Sequence, residues 1–310
     1  MTKKMKVSVI IPTYNRSNKL INLLNALEKQ TFKDFETVIV DDDSTDSTQY
    51  VLKSSQFSLA SLKTIHQQNK GHAVARNRGT EEASGDLLIF LDSDVRPFPD
   101  CVERHVYHHT TKRGSMLAGR AVMDNTLFQD SDICQYRYYL ERKIWSFPSQ
   151  NGLATVTPDN YFFSTQNLSL SNQLFNDLGK FDETLKDSVD FDLCVRAMIE
   201  NIRIYYDHRA AVWHDDQGNL NSYVKRQIQY RNAREHLLLK KPHYKDVIPE
   251  QFSYGKSGWI RIILRRLFIF NQIWEKILNN RWYTKIIPRW LRFKFYGYLI
   301  HCSSIPNLKI

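Results

Sequence analysis

The chain has 310 residues, of which 42% are hydrophobic and 25% charged, and a formal net charge of +10 at pH 7. Residues 1–250 carry 32 basic and 32 acidic side chains, whereas residues 251–310 carry 11 basic side chains and one acid, Glu275. The positive charge therefore belongs to the end of the chain. This excludes an evenly basic nucleic-acid-binding protein and predicts a neutral body with a basic tail.

Strands and helices alternate along the first hundred residues. Short apolar runs predict strands at 7–11, 37–40, 62–65 and 87–91. Helical periodicity predicts helices after Ser17, near 47–55 and from about 71 to 83. Polar clusters recur where the strands end. The alternation indicates an α/β fold with a mostly parallel central sheet, which binds its ligands at the carboxyl ends of the strands.

The pattern is weaker beyond residue 100. We predict helices at 99–110, 131–146, 190–200 and 222–240, and strands at 162–170, 203–206 and 210–213. Residues 147–160 are predicted to form a polar loop.

Two acidic clusters follow predicted strands. Asp41, Asp42 and Asp43 form either a solvated turn or a site that accepts hydrogen bonds from a nucleotide base or ribose. Asp92 and Asp94 flank Ser93 directly after the fourth strand, where both carboxylates can face one hard cation. Mg²⁺ and Mn²⁺ prefer such oxygen ligands and leave room for substrate phosphates.

Further candidates lie in the second half of the chain. Asp190 and Asp192 open a predicted helix, where acids are favoured by the helix dipole, and either can serve as a general base. His214 ends a strand before two aspartates and can bind a metal as neutral imidazole.

A group of three histidines lies in the predicted helix at 99–110. They are His105, His108 and His109. With Glu103 and Arg104 beside them, we predict a solvated helix face rather than a metal site.

Seven segments then carry a resemblance to a known family. They are VSVIIPTYNR, QTFKDFETVIVDDDSTDST, NKGHAVARNRG, ASGDLLIFLDSDVRP, NLSLSNQLFNDLGKFDE, VDFDLCVRA and WHDD. Their order resembles that of family 2 glycosyltransferases over residues 6 to about 240. The resemblance implies the GT-A fold and an inverting enzyme that uses a nucleotide-sugar donor, most often a UDP-sugar.

The resemblance also implies roles for individual residues. The nucleotide is expected to bind Pro12, Thr13, Tyr14, Asp42, Arg76, Asn77, Asp92 and Ser93. Asp42 is expected on the base, and Asp92 on the ribose or a metal-bound water. The metal, Mn²⁺ or Mg²⁺, is expected on Asp94, Asp92 and His214. Asp190 matches the general base that deprotonates the acceptor hydroxyl.

Two departures from the family pattern concern the site. Val189 stands where the family usually has glutamate before the base, so Asp190 loses one negative neighbour and Asp192 stays an alternative base. Asp43 stands where glycine is common, and aspartate tolerates the left-handed backbone that glycine adopts there. The chain has no QxxRW motif, which favours transfer of a single sugar over processive polymer synthesis.

These observations predict a GT-A catalytic domain at 1–240 and a basic, aromatic-rich helical region at 241–310. The expected acceptor is a hydroxyl of a glycan or of a lipid-linked glycan. The alternatives are a sugar nucleotidyltransferase and a catalytically inactive subunit of a glycan-assembly system. The first usually carries a glycine-rich stretch after its first strand, and IPTYNR has no glycine.

The C-terminal region carries four of the six tryptophans among its basic residues. A helical subdomain packed on protein and a peripheral membrane anchor over 256–300 are both open. We expect no nucleic-acid partner, because the apolar fraction is too high, and the oligomeric state stays open. The four cysteines form no CxxC pair and no apolar run spans a bilayer. A cytoplasmic protein is therefore expected, with a place at the inner face of the membrane left open.

Overall fold

The computed structural model of the protein describes residues 4–54, 57–124, 126, 131–144, 151–158, 164–216, 218–248, 271–278 and 281–303. Within them, strands of one sheet are β1 Val7–Thr13, β2 Glu36–Asp42, β3 Leu62–Gln67, β4 Leu87–Leu91, β5 Val95–Pro97, β6 Met116–Met123, β7 Leu153–Thr155, β8 Asn167–Ser171 and β9 Ile204–His214. Helices are α1 Ser17–Glu28, α2 Thr48–Lys53, α3 His72–Glu81, α4 Cys101–Thr111, α5 Asp132–Ile144, α6 Asn172–Asp177, α7 Val189–Ile199, α8 Leu220–Lys240, α9 Asn271–Leu278, α10 Arg281–Ile286 and α11 Arg289–Ser303. A 3₁₀ helix covers Pro242–Asp246.

The sheet has the strand order β3-β2-β1-β4-β8-β6-β9-β5, with β7 paired to β9. Strands β1 to β4 are parallel to one another, and β8 joins β4 and β6 in antiparallel fashion. Strand β9 is parallel to β6 and antiparallel to β5 and β7. Most of the described strands therefore point the same way, and the predicted mostly parallel α/β sheet is confirmed.

The parallel half forms because three of its strands, β1, β2 and β4, are buried on both faces. Strand β1 is buried along its whole length and lies between β2 and β4. Helix α1 covers one face with Leu20, Leu23, Leu24 and Leu27, which are fully buried. That spacing places the four leucines on one side of the helix. The resulting core fixes the positions of the loops that follow β1, β2 and β4.

Helix α3 also packs against β1 and β2. At Gly79 a methyl group would lie 2.6 Å from Cγ2 of Ile10. Only glycine therefore allows the helix to approach the strand this closely. This close contact sets the position of the first turns of α3, which carry Arg76 and Asn77.

The antiparallel half differs from the sequence prediction in several elements. Strands β5, β6 and β7 were not predicted, and β7 lies in the segment 147–160 that was predicted to be a loop. The two short strands predicted at 203–206 and 210–213 are one strand, β9, with an irregular register opposite Gly119 and Arg120. Residues 162 and 163 of the strand predicted at 162–170 lie outside the described residues.

The contacts divide the chain into two compact units, Met1–Asp124 with Ile144–Asp216, and Asn125–Lys143 with Gln217–Ile310. In the second unit, Oδ1 of Asp132 accepts a hydrogen bond from Nη2 of Arg292, and Oδ2 accepts one from the Tyr296 hydroxyl, both at 2.9 Å. Helix α5 thus belongs with the C-terminal helices. The predicted domains, 1–240 and 241–310, divide the chain at a different position.

Candidate functional site

The carboxyl ends of β1, β2 and β4 meet at one edge of the sheet, as predicted from the parallel pattern. Thr13 ends β1 and lies opposite Asp41 of β2. The loop after β4 carries Asp92, Ser93 and Asp94. The sequence-predicted nucleotide and metal residues that follow these strands therefore share one edge.

Tyr14 is presented at this edge by a tight turn. Asn15 adopts a left-handed backbone with φ of 52°. Its Oδ1 accepts hydrogen bonds from the backbone N–H groups of Thr45 at 2.7 Å and Asp46 at 3.2 Å. The turn after β1 is thereby joined to the turn after β2. Tyr14 is 47% exposed, and its contact with the nucleotide stays a prediction.

Asp42 is buried and holds the loop between β3 and α3. Its Oδ1 accepts from Nε2 of Gln67 at 2.7 Å and from the N–H of Lys70 at 2.9 Å. Its Oδ2 accepts from the N–H of Gly71 at 2.8 Å. An ionised carboxylate has about four acceptor positions, so one remains for a ligand. The expected contact with a nucleotide base stays a prediction.

The aspartates on either side of Asp42 differ in their surroundings. Oδ1 of Asp41 accepts the N–H of Ser44 at 3.1 Å, and Oδ2 lies 3.1 Å from Nδ1 of His66. Asp43 is exposed and has a φ of 71°. Aspartate thus adopts the left-handed conformation expected where the family has glycine.

Arg76 is a buried cation directed at Asp92. Its Nη2 donates to Oδ1 of Asp92 at 2.6 Å, and its guanidinium lies 5.6 Å from the centre of the Phe181 ring. Its Nε and Nη1 are buried without a hydrogen-bond partner in the described part of the chain, as is Oγ1 of Thr13. Unsatisfied buried donors cost about 1–3 kcal/mol each. Such groups at the carboxyl edge of the sheet fit a polar ligand.

Asn77 is occupied by protein contacts. Its Nδ2 donates to the Phe181 carbonyl and to Oε1 of Glu183, both at 2.9 Å, and its Oδ1 accepts the Phe181 N–H at 3.1 Å. These bonds hold the segment after α6 against α3. The predicted contact of Asn77 with the nucleotide stays a prediction.

Asp94 and His214 come together although 119 residues lie between them in the sequence. Nε2 of His214 is 3.8 Å from Oδ1 of Asp94. Oδ2 of Asp94 is 3.9 Å from Nη1 of Arg16 and 3.8 Å from Nζ of Lys19. Ser93, the third residue of this loop, is buried.

This pair suits a divalent ion that takes its remaining ligands from a bound substrate. Mg²⁺ and Mn²⁺ are commonly held by one or two protein side chains, with phosphate oxygens completing the shell. Among the described residues, no group of three or more His, Cys, Asp or Glu side chains forms a ready metal site. Asp92, the third predicted ligand, is instead 2.6 Å from Arg76. Of the three predicted ligands, one carboxylate and one imidazole thus lie together, and the role of Asp92 as a metal ligand stays a prediction.

Arg16 and Lys19 were missed by sequence reasoning. Both lie at the start of α1, directly after β1, so the basic residues in the segment TYNRSNK were the available signal. Burial lowers the pKa of Lys19, while the Asp94 carboxylate acts in the opposite direction. The edge thus combines two cations with the carboxylates, which suits a ligand carrying several negative charges.

Asp190 lies in the first turn of α7. Its Oδ1 accepts the N–H of Phe191 at 2.8 Å, and Ser188 before the helix has a left-handed φ of 62°. Val189, at the position of the family glutamate, is buried in the core. An apolar side chain there packs inward, so it adds no charge beside Asp190.

Asp192 is fully buried and committed to Arg196. Its Oδ2 accepts from Nε at 2.9 Å and from Nη2 at 2.6 Å, while Arg196 also donates to the carbonyls of Leu178 and Lys180. The bonds from Arg196 to these two carbonyls tie α7 to the segment after α6. Asp192 therefore has a structural role in this ion pair, and the role of Asp190 as general base stays a prediction.

The prediction of a solvated face for the three histidines of α4 was wrong. His105, His108 and His109 are all buried. The two ring nitrogens of His105 lie 2.7 Å from Oγ of Ser169 and 2.8 Å from Oδ1 of Asn167. Hydroxyl and amide groups on β8 are the hydrogen-bond partners of the His105 and His109 rings. The neighbouring Glu103 and Arg104 had instead indicated an exposed face.

A model of glycosyl transferase family 2 matches residues 8–174. That segment is more than half of the chain, so the protein belongs to glycosyl transferase family 2. This membership argues against the alternative of a sugar nucleotidyltransferase.

Solved structures show the same fold. The mannosyltransferase PcManGT from Pyrobaculum calidifontis, in complex with GDP-Man and Mn²⁺, has a TM-score of 0.59 at 17% identity, over 99% of this chain and 88% of that one. S. aureus TarS 1–349, in complex with UDP-GlcNAc, has a TM-score of 0.57 at 21% identity, over 97% and 90%. The predicted GT-A fold is confirmed.

Relatives in sequence are also glycosyltransferases. AmsB, the amylovoran biosynthesis glycosyltransferase of Erwinia amylovora, is 28% identical over 200 residues, 63% of this chain and 64% of that protein. The pre-mycofactocin glycosyltransferase of Mycobacterium tuberculosis is 27% identical over 241 residues, 76% of this chain and 48% of that protein. The uncharacterized glycosyltransferase YfnE of Bacillus subtilis is 37% identical over 116 residues, 37% of this chain and 30% of that protein. The matched segments span less than two thirds of each relative.

Proposed function

We propose that the protein transfers a single sugar from a nucleoside-diphosphate donor to a hydroxyl of a glycan or lipid-linked acceptor, with inversion at the anomeric carbon. A UDP-sugar is the favoured donor, because TarS was solved with UDP-GlcNAc. PcManGT was solved with GDP-Man, so GDP-sugars are the comparison in the test.

The arrangement around Asp94 carries the proposal. One carboxylate oxygen faces His214, and the other faces Arg16 and Lys19, all within 4 Å. A diphosphate brings negative charge that two cations can neutralise, and a metal on the Asp94 and His214 pair adds to this. Tyr14, which is exposed, and the unsatisfied donors of Arg76 lie at the same edge and support a nucleotide ligand there.

The reaction needs two kinds of group on opposite sides of the sugar. An acceptor oxygen forms a bond to the anomeric carbon while the bond to the β-phosphate oxygen breaks, and the bonding electrons leave with the nucleoside diphosphate. Asp190 takes the acceptor proton as general base. Arg16 and Lys19 stabilise the departing charge. Attack from the face opposite the leaving group inverts the configuration.

When bound, Mn²⁺ or Mg²⁺ supplies Lewis-acid stabilisation of the leaving diphosphate. Asp94 and His214 are the residues that would hold it. Asp92, paired with Arg76, is left for the ribose or a metal-bound water, as the family pattern implies.

Asp94→Ala is expected to lower nucleoside-diphosphate release by about 10²- to 10⁴-fold, because charge stabilisation of the leaving group is worth several kcal/mol. The measurement is release of UDP from UDP-sugars with Mn²⁺ and with EDTA, and of GDP from GDP-sugars in parallel. A thermal-shift screen identifies the donor first, since a ligand that binds only the folded state raises the unfolding temperature.

The matched control for Asp94→Ala is Asp34→Ala, which removes an exposed aspartate that pairs with Lys4. It is expected to retain full activity. Full sugar-transfer activity in Asp94→Ala would contradict the proposed role of Asp94. Donor binding without any release by the wild-type protein would instead support an inactive glycan-assembly subunit.

We also propose a peripheral membrane contact through the C-terminal helices. No described helix has the length and apolar character to cross a bilayer. Tyr296 and Leu299 of α11 are buried within the second unit, which supports the packing alternative for that side of the helix. Residues 256–270, the first part of the predicted anchor, lie outside the described residues.

A different side of these helices is exposed. Trp282, Ile286 and Trp290 are 72%, 69% and 63% exposed. Nζ of Lys285 lies 6.0 Å from the centre of the Trp282 ring, and Nζ of Lys294 lies 5.0 Å from that of Trp290. Exposed tryptophans beside lysines match the interface of an anionic membrane, where rings enter the head-group region and cations meet phosphates.

The protein is expected to float with vesicles that contain an anionic phospholipid and not with neutral vesicles, and the binding should weaken with salt. Trp282→Ser with Trp290→Ser should abolish flotation. The control is Tyr50→Ser with Tyr107→Ser, which removes two other exposed aromatic side chains and should float normally. Unchanged flotation of the tryptophan variant, or self-association in place of vesicle binding, would contradict the membrane contact.

A further inference from the structure

Arg96 is partly buried and forms an ionic network beside the proposed site. It lies in β5, and its Nε and Nη2 donate to the two carboxylate oxygens of Asp215 at 2.8 and 2.9 Å. Nη2 also donates to Oδ2 of Asp124 at 3.0 Å. Both aspartates are buried. The hydrogen bonds to Asp215 raise the pKa of Arg96 further, so the guanidinium stays charged at any working pH.

This network joins the two segments that carry Asp94 and His214. Asp215 directly follows His214, and its N–H donates to the carbonyl of Asp94 at 2.9 Å. Val95, between Asp94 and Arg96, lies opposite His214 in the antiparallel pairing of β5 with β9. The Arg96 side chain therefore connects the same two stretches of backbone a second time.

The backbone pairing alone is a weak constraint. Strand β5 has three residues, and Pro97 contributes no N–H. A buried ion pair is a poor device for stability, since desolvation of the charges offsets most of their attraction. A bidentate arginine–carboxylate pair does fix orientation, because two parallel hydrogen bonds allow one geometry.

We propose that Arg96 is a positioning residue that sets the separation of Asp94 and His214, and through it the affinity of the site for a divalent ion and the donor diphosphate. This inference rests on the proposed function. Arg96 acts through the backbone of Asp94 and Asp215. Its loss should loosen the pair without removing either ligand.

The test uses Arg96→Met, which keeps the length of the side chain and removes every donor, and Arg96→Lys, which keeps the charge. The Kd for UDP is measured by calorimetry with Mn²⁺ and with EDTA, alongside kcat, KM for the donor and the unfolding temperature. Residues that support metal ligands typically contribute about 10- to 100-fold in affinity. We expect Arg96→Met to lose that much of the Mn²⁺-dependent gain in UDP binding, and Arg96→Lys to fall between it and the wild type.

The matched control is Arg209→Met. Arg209 also binds a buried aspartate with two nitrogens, Asp207 at 3.0 and 3.0 Å, in the middle of β9. This variant should change the unfolding temperature and leave the Mn²⁺-dependent binding intact. If Arg96→Met does the same, the network is structural and the proposal is overturned.

Two other outcomes separate this proposal from the function it rests on. If the wild-type protein gains no UDP affinity from Mn²⁺, the proposed metal chemistry fails and the role of Arg96 fails with it. If Arg96→Met does not fold, Arg96→Lys decides. Weakened Mn²⁺-dependent binding then supports positioning, and unchanged binding overturns it.

Discussion

Asp190→Asn is expected to lower the kcat of sugar transfer by about 10²- to 10⁴-fold, the range typical of a general base. The amide keeps the size of the carboxylate, and its oxygen can still accept the N–H of Phe191, as Oδ1 does at 2.8 Å. It cannot take the acceptor proton at neutral pH. The Kd for UDP should stay unchanged, because the proposed donor contacts come from the ends of β1, β2 and β4. Steady-state transfer and calorimetry measure the two quantities.

The control for Asp190→Asn is Glu200→Gln, which neutralises an exposed carboxylate at the other end of α7 and should leave kcat unchanged. Asp192→Asn is a poor substitute, since breaking the buried pair with Arg196 destabilises the fold. Full kcat in Asp190→Asn would assign the base to another residue and reject the mechanism as drawn.

The parallel half of the sheet could be predicted because its signals are local. Runs such as Leu87–Leu91 are apolar on both faces and end in polar residues. The antiparallel half gives weaker signals. Strand β5 has three residues, one of them proline, and β9 is interrupted by an irregularity near Asp207. Such strands exist because neighbouring strands pair with them, which no short stretch of sequence reveals.

The candidate site was predictable only in part for the same reason. The resemblance suggested Asp94 and His214 for one metal, and β5 and β9 do bring them to 3.8 Å. Arg16 and Lys19 come from a separate turn, and their role depends on where α1 begins relative to the loop after β4. The hydrogen bonds of Arg96 depend on the positions of three strand ends, those of β5, β6 and β9. Interactions of this kind follow from topology.

The three histidines of α4 show a limit of reasoning from polarity. Residues 105, 108 and 109 lie on one helix face by their spacing, and a polar face beside Glu103 and Arg104 indicates solvent. The face is buried, and β8 and the turn between α4 and β6 supply its hydrogen-bond partners. Nε2 of His108 lies 2.9 Å from Oγ of Ser115, and Nε2 of His109 lies 2.8 Å from Oγ of Ser169.

Acidification from pH 7.5 to 5.0 is expected to lower the free energy of unfolding by about 2 kcal/mol through His105 alone, with His108 and His109 adding to this. Burial lowers the pKa of His105 and of His108 to about 4 and that of His109 to about 3. Asp207 opposes the shift at His105 and His108, and Lys112 reinforces it at His108.

The sign of this effect follows from proton binding in the two states. Above pH 6.5 the histidines are neutral in both states, so their contribution to stability is fully present. Between pH 6.5 and about 4 these histidines become protonated in the unfolded chain but stay neutral in the folded protein. Stability is therefore lost as the pH falls through this window, before most carboxylates titrate.

Urea unfolding at pH 7.5 and 5.0 measures the loss. His105→Gln cannot take a proton, so it should lose less stability on acidification. It keeps polar atoms for Ser169 and Asn167, and it should unfold more readily than the wild type at pH 7.5. His236→Gln replaces an exposed histidine of α8 and should leave the wild-type pH dependence unchanged. An equal pH dependence in His105→Gln and the wild type would show that other groups control acid unfolding. The buried α4 face would then contribute packing without any coupling to protons.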